Sequence, residues 1–140
     1  MVSKEMLKAF DVMVPNPIQV KASITVFEAI KIMEKYNIAS LIVIDENDIV
    51  LGVVTAKDLV LRVFAKGLDP KNLKIMDIVS RPVTVVEPDT LLKDVINLMI
   101  GTGHGHIPVI NKSGRAVGIV TIDDILKFVP ELLEIIEMRR

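Results

Sequence analysis

The chain contains an internal duplication, and this feature restricts its fold more than any other. When the sequence is shifted by 66 residues, residues 24–60 align with residues 90–126 without a gap, and eight of the 37 pairs are identical. Four of the eight identities fall in one seven-residue window, Gly52–Asp58 against Gly118–Asp124. Two copies, each of roughly 60 residues, indicate a duplicated domain rather than a long repeat array.

The composition is that of a globular protein without a charge bias. Of the 140 residues, 51% are hydrophobic and 25% are charged, which excludes a disordered chain. The net charge of −1 argues against a nucleic-acid binder, which usually has a basic surplus. The chain has no cysteine, which excludes disulfides and thiolate chemistry and is compatible with a cytoplasmic location. We expect no signal peptide and no membrane contact, because the N-terminus is charged and the apolar runs are short.

The pattern of apolar residues predicts the order β-α-β-β-α in each copy. The first helix of each copy has helical apolar spacing, with Ser23 and Asp89 as its predicted N-caps, and the second helix covers Ala56–Lys66 or Ile122–Val129. The predicted strands are Ile18–Val20, Leu41–Ile44, Val50–Val54, Val83–Val86, Ile107–Ile110 and Ala116–Val120. We expect an α/β fold (α+β by stricter labels) with two halves about a pseudo-two-fold axis, the sheets at the centre and the helices outside.

The predicted organisation has five segments. Residues 1–10 form a lead-in helix, residues 11–66 the first repeat, residues 67–76 a linker and residues 77–129 the second repeat. Residues 130–140 form a C-terminal helix. This last segment is more apolar than a solvated tail requires, so we expect it to pack on the body or on a second subunit.

The shared window has the pattern G-h-h-T-x-x-D, where h is apolar, and its residue types suit a phosphorylated sugar. The threonine is placed at a strand-to-helix junction, where free backbone N–H groups and a hydroxyl can bind an anion. The aspartate three residues later offers two acceptor oxygens to a ribose diol. The glycine lies on a strand, where it suggests a close approach by another group. The motif residues are Gly52, Thr55 and Asp58 in the first copy and Gly118, Thr121 and Asp124 in the second.

A purely structural interpretation of the same motif is also open. T-x-x-D is close to the capping-box pattern, in which threonine and acid bond each other's backbone N–H groups without any ligand. The two interpretations are compatible, because a capping residue can also contact a ligand.

The duplicated motif, together with the β-α-β-β-α order, resembles the cystathionine-β-synthase-type (CBS) domain, and two such domains in tandem resemble a Bateman module. The resemblance covers about residues 11–129. It implies a sensor that binds AMP, ADP, ATP, S-adenosylmethionine or methylthioadenosine in clefts between the copies. It also implies a homodimer, no required cofactor, and transmission of ligand occupancy to a protein partner or to the oligomer itself.

The resemblance also implies two sets of cleft residues, each drawn from both copies. The first cleft would contain Thr55, Asp58, Pro17, Ile18, Ser40, Val53 and Lys57, with Ser80 and Arg81 from the second copy. The second cleft would contain Thr121, Asp124, Pro82, Val83, His106, Ile119 and Asp123, with Met13 and Pro15 from the first copy.

The two predicted clefts differ in charge. Lys57 and Arg81 make the first cleft basic, so we expect it to prefer phosphorylated ligands. Asp123 makes the second cleft more acidic, so we expect it to prefer a less charged adenosyl compound. A phosphate there would bind more tightly below the pKa of His106, about 6.5 for an unperturbed histidine.

Other functions have less support in the sequence. His104 and His106 could share one face of a strand, but we predict no metal site because a third ligand is not evident. No nucleophile–base grouping is suggested, so we predict that the chain is not an enzyme. A structural dimerisation module with vestigial clefts, or a nucleic-acid binder, are the alternatives to a nucleotide sensor.

Overall fold

The computed structural model of the chain describes residues 6–79 and 83–128. The α-helices of these ranges are α1 (Ala9–Val12), α2 (Val26–Tyr36), α3 (Ala56–Leu59), α4 (Leu92–Thr102) and α5 (Ile122–Leu126), and short 3₁₀ turns cover Pro70–Asn72 and Ile75–Asp77. The strands are β1 (Val14–Pro15), β2 (Gln19–Lys21), β3 (Ser40–Ile44), β4 (Val50–Thr55), β5 (His106–Ile110) and β6 (Ala116–Thr121). The predicted C-terminal helix and the first five residues of the predicted lead-in helix lie outside the described residues.

The strands of the described residues form two three-stranded sheets with related topology. One sheet has the order β2-β3-β4, with β2 parallel to β3 and β3 antiparallel to β4. The other has the order β1-β6-β5, with both pairs antiparallel. Val86 forms a parallel bridge with Val109, which repeats the pairing of Val20 with Val43 66 residues earlier. The expected α/β fold with two similar halves is confirmed.

Each repeat exchanges a short segment with the other repeat. We call residues 7–13 the first arm and residues 73–79 the second arm; they are equivalent under the shift of 66. The first arm bonds the start of α4, where Leu92 N donates to Leu7 O at 2.7 Å. The second arm makes the equivalent bond to the start of α2, where Val26 N donates to Leu73 O at 2.8 Å. The arms therefore cross between the halves in a two-fold manner.

Three apolar clusters hold the described fold together, and the arms belong to two of them. The first-repeat core contains Ile75 of the second arm, which is fully buried. The second-repeat core contains Ala9 of the first arm, also fully buried. The third cluster lies between the two sheets and includes Ile42 and Val50, with Val83 packed against it. The predicted linker 67–76 is thus partly a core element, because the second arm begins within it.

The predicted N-caps Ser23 and Asp89 are wrong. Thr25 caps α2, and its hydroxyl accepts a hydrogen bond from Glu28 N at 3.0 Å. Helix α4 begins after Leu91, which has no side-chain capping bond. The first arm explains the correction at α4, because the Leu7 carbonyl accepts from Leu92 N in a first turn that has no side-chain cap. At α2 the correction is a shift of the local cap by two residues.

The helix that follows each motif is shorter or more irregular than predicted. Helix α3 passes after Leu59 into a π-helical turn, Val60–Phe64, in which Ala65 N donates to Val60 O at 2.8 Å. Helix α5 ends at Leu126. Such π-turns are rare and occur often next to functional sites.

The close approach expected at Gly118 is made by the first arm. A Cβ atom at this position would lie 2.8 Å from Met13 Cγ and closer still to Met13 Sδ. Strand β1 continues this contact, because Pro15 pairs with Gly118 and Val14 pairs with Ile119. Packing of the arm therefore accounts for this glycine.

We expect Gly118→Ala to lower the free energy of unfolding by about 1–3 kcal/mol, because the added methyl overpacks the contact with Met13. In urea denaturation, the loss in Gly118→Ala/Met13→Ala should be smaller than the sum of the two single losses. Gly101→Ala is the matched control, since nothing lies within 4 Å of the position that its methyl group would occupy and stability should not fall. Additive losses would contradict this explanation.

Candidate functional site

A cavity of about 590 Å³ lies between the two repeats at the first copy of the motif. One wall comes from the end of β4, from α3 and from the π-turn. The other wall comes from the second repeat, from the segment after the second arm and from the loop between α4 and β5. The lining residues are Ala39, Val53, Thr55, Ala56, Lys57, Asp58, Leu61, Arg62, Val83, Thr84, Gly103, His104, Gly105 and His106.

Thr55 and Asp58 form a complete capping box at the edge of this cavity. Asp58 Oδ2 accepts hydrogen bonds from Thr55 N at 2.8 Å and from Thr55 Oγ1 at 3.0 Å. Thr55 Oγ1 accepts one from Asp58 N at 3.2 Å. The other carboxylate oxygen, Oδ1, is 3.8 Å from Arg62 Nε. The capping interpretation is therefore confirmed here, and it engages one of the two carboxylate oxygens.

The second copy of the motif has a different set of partners. Thr121 Oγ1 donates to Asp124 Oδ2 at 2.7 Å and accepts from Asp124 N at 3.2 Å. Asp124 Oδ1 is bonded by Lys127 Nζ at 3.2 Å, within the same helical segment. Both oxygens of Asp124 thus have a protein partner, and its side chain is 13% exposed against 23% for Asp58. The two copies of the motif therefore differ in the partners and in the exposure of their aspartates.

The cavity combines residues that the resemblance divided between two clefts. Val53, Thr55, Lys57 and Asp58 line it as expected for the first cleft. Val83 and His106, which were assigned to the second cleft, line it as well.

The positions of these two residues are given by their neighbours. His106 pairs with Thr121 across β5 and β6, and Val83 packs on the cluster between the two sheets. Their assignment to the second cleft stays a prediction.

The remaining predicted residues have varied positions. Ser40 pairs with Thr55 across β3 and β4, but its neighbour Ala39 is the one that lines the cavity. Pro17 and Ile18 are not among the lining residues. Met13, Pro15 and Ile119 are brought together by the pairing of β1 with β6, and Asp123 lies in the first turn of α5. Ser80, Arg81 and Pro82 lie outside the described residues.

The sequence interpretation missed two charged or polar groups of the cavity. Arg62 is not among the predicted cleft residues, although a spacing of four from Asp58 on a helix is that of an ion pair. His104 is also absent from both predicted clefts, and its Nδ1 lies 2.9 Å from Thr84 Oγ1. In the described ranges, no three histidine or acidic residues form a group that could hold a metal ion.

Burial lowers the pKa of His106 below its usual value. The carboxylates of Asp123, Asp58 and Asp124 act in the opposite direction but do not cancel the effect of burial. His106 is therefore held in its neutral form over more of the pH range than an exposed histidine.

This lowered pKa predicts a pH dependence of stability. The unfolded chain binds a proton at this residue below about pH 6.5, whereas the folded chain binds it only at lower pH. Stability should therefore fall as the pH decreases from 6.5 towards the folded pKa. We expect this loss to be smaller in His106→Gln, measured by urea denaturation between pH 7.5 and 5.5. A larger loss in the variant than in the wild type would contradict the assignment.

Comparison with known proteins gives consistent matches across the chain. A model of the CBS domain family matches residues 9–65 and again residues 75–131. An uncharacterized protein of Methanopyrus kandleri, MK0525, is 35% identical over 105 residues, which are 75% of this chain and 54% of that protein. The chain spans between 23% and 64% of the length of the first curated relatives it matches.

Solved structures match the whole arrangement of the two repeats. An uncharacterized conserved protein from Pyrococcus horikoshii has a TM-score of 0.81 and 28% identity, with coverage of 89% of this chain and 93% of that one. The CBS domain pair of protein MJ0100, solved with 5′-methylthioadenosine and S-adenosyl-L-methionine, has a TM-score of 0.79 and 28% identity, with coverage of 89% and 97%. Within residues 6–79 and 83–128, no helix has the length and apolar character needed to cross a membrane.

Proposed function

Because this chain belongs to the CBS domain family and carries two copies of the domain, we propose that it is a regulatory protein that senses an adenine nucleotide or adenosyl compound. The observation that carries the proposal is the cavity between the repeats, which is lined by Thr55 and Asp58 and by residues of the second repeat. A volume of about 590 Å³ is within the range of small-ligand sites. The ligands solved with the MJ0100 domain pair are of the proposed class.

The cavity at the first copy of the motif, which we call the first cavity, is suited to a phosphorylated member of this class. Lys57 contributes a positive charge to its lining, whereas the charges of Arg62 and Asp58, whose Nε and Oδ1 atoms lie 3.8 Å apart, offset each other. His104 and His106 add two imidazole groups that can donate hydrogen bonds to a phosphate. Asp58 Oδ1, outside the capping box, is the acceptor that we assign to a ribose hydroxyl. We propose AMP, ADP or ATP as its ligand.

The second motif is suited to a less charged compound. Asp123 and Asp124 place two carboxylates in the first turn of α5, and Lys127 pairs with Asp124. Carboxylates at this spacing disfavour a phosphate by like-charge repulsion. Methylthioadenosine or S-adenosylmethionine, which carry no phosphate, are the ligands that we propose for this cleft.

Binding of the ligand would be transmitted through a change in the arrangement of the two repeats. A ligand that contacts both walls of the cavity stabilises whichever arrangement it binds more tightly. The receiver of this change would be a protein partner or a second copy of the chain. A homodimer is supported by exposed apolar side chains on the segments that follow the two motifs, such as Phe64 of the π-turn at 82% exposure and Leu126 of α5 at 55%.

The proposal is tested by the small molecules that the protein binds. Mass spectrometry of the supernatant from denatured protein, followed by thermal shift with AMP, ATP, S-adenosylmethionine and methylthioadenosine, covers the proposed class. A ligand at 100 times its Kd stabilises by about 2.7 kcal/mol, which is a clear shift in Tm. Absence of any shift and of any co-purified adenosyl compound would favour a dimerisation module with vestigial clefts.

A further inference from the structure

We propose that Arg62 is a positioning residue that ties the wall of the first cavity that carries Asp58 to the second arm. Its Nη1 donates a hydrogen bond of 2.9 Å to Ile78 O, on the second arm. Its Nε lies 3.8 Å from Asp58 Oδ1, on the preceding helical turn. One guanidinium group thus contacts both the residue assigned to the ribose and the main chain of the second arm.

The second arm gives this contact a fixed anchor. Ile75, Ile78 and Val79 of the arm are buried in the first-repeat core. The bond to the Ile78 carbonyl therefore holds Arg62, and through it the Asp58 carboxylate, against a buried segment of the chain.

The chemistry of Arg62 is suited to a permanent contact. The planar guanidinium group can donate to two acceptors at once. The Arg62 side chain is 44% exposed, so its charge is not buried at a cost. The contact should therefore hold in the ligand-free protein.

Within the described residues, the second copy of the motif lacks this connection. Phe128 occupies the position equivalent to Arg62 and packs against the second-repeat core. Lys127 pairs with Asp124 and belongs to the same short segment, so this pair does not link the motif to an arm. Arg62 therefore distinguishes the first cleft from the second in structure as well as in charge.

Amide hydrogen exchange in the ligand-free protein tests the contact itself. Arg62→Ala should accelerate exchange of Ile78 N and Val79 N by about tenfold, the effect of losing one charged hydrogen bond. Exchange in the first arm should not change, and Lys127→Ala is the matched control. Arg62→Lys should recover part of the protection, because an ammonium group can still donate to a carbonyl. Unchanged exchange at these amides in Arg62→Ala would overturn the proposal, whether or not a ligand binds.

Ligand titration tests the effect of this contact on binding, and this part of the proposal rests on the proposed function. A positioning role predicts that Arg62→Ala weakens adenosine and AMP by the same factor, about tenfold. A larger loss for AMP than for adenosine would overturn positioning in favour of direct contact with the phosphate. Failure of the wild type to bind either compound would count against the proposed function, while the exchange result would still decide the role of Arg62.

Discussion

Replacing Ile75 with alanine is expected to lower the free energy of unfolding by about 2–4 kcal/mol, the cost of deleting a fully buried aliphatic side chain. This residue lies in a segment that the sequence presents as a linker, where substitutions usually change stability little. Its side chain instead fills the first-repeat core from the second arm. Urea denaturation of the purified variant measures the effect.

Met76→Ala is the matched control for this substitution. Met76 is the next residue in the chain and is 48% exposed, so its loss should change stability by less than about 0.5 kcal/mol. Ala9 occupies the position equivalent to Ile75 in the first arm and is also fully buried. If Ile75→Ala cost no more than Met76→Ala, the arm would not contribute to the core as the structure shows.

Asp58→Asn is expected to weaken binding of a phosphorylated adenosine ligand at the first cavity by about 100-fold. The substitution replaces a charged acceptor of ribose hydroxyl groups with a neutral amide, and hydrogen bonds to charged groups contribute about 1.5–3 kcal/mol each. Isothermal titration with AMP measures the loss. A loss below threefold would exclude Asp58 from the ligand contact.

The chain offers a control that separates ligand contact from helix capping. Asp11 accepts a hydrogen bond from Lys8 N at 2.8 Å, which is the same backbone cap that Asp58 makes with Thr55 N at 2.8 Å. Asp11 is not among the residues that line the cavity. Asp11→Asn should therefore cost similar stability but leave AMP binding unchanged, and an equal loss of binding in both variants would indicate an indirect effect.

The strands and the repeat could be predicted because they depend on local pattern. Runs of apolar, mostly β-branched residues at Leu41–Ile44 and Val50–Val54 match strands β3 and β4 to within one residue. The arms could not be predicted, because their hydrogen bonds join residues separated by more than 40 positions, such as Val26 and Leu73. The wrong N-cap at Asp89 has the same cause, since a remote carbonyl bonds the first turn of α4, which has no side-chain cap. At α2 the cap is local but is Thr25 rather than Ser23.

The candidate site was predictable only where the motif determines it. Thr55 and Asp58 follow from the duplicated window, and the structure places them at a cavity. Arg62 and His104 line the same cavity but carry no repeated signal, because the equivalent residues are Phe128 and Ile38. The difference between the clefts therefore resides in side chains that the duplication does not share.

The exchanged arms mean that neither half of this molecule is a complete folding unit. A fragment that contains one repeat alone would lack the arm of the other repeat, which fills its core and bonds the backbone N–H at the start of its first long helix. Two identical chains of one repeat each could exchange the same arm with each other. The present chain is what a head-to-tail fusion of such an interlocked pair would produce, with one half since free to acquire chemistry that the other does not have.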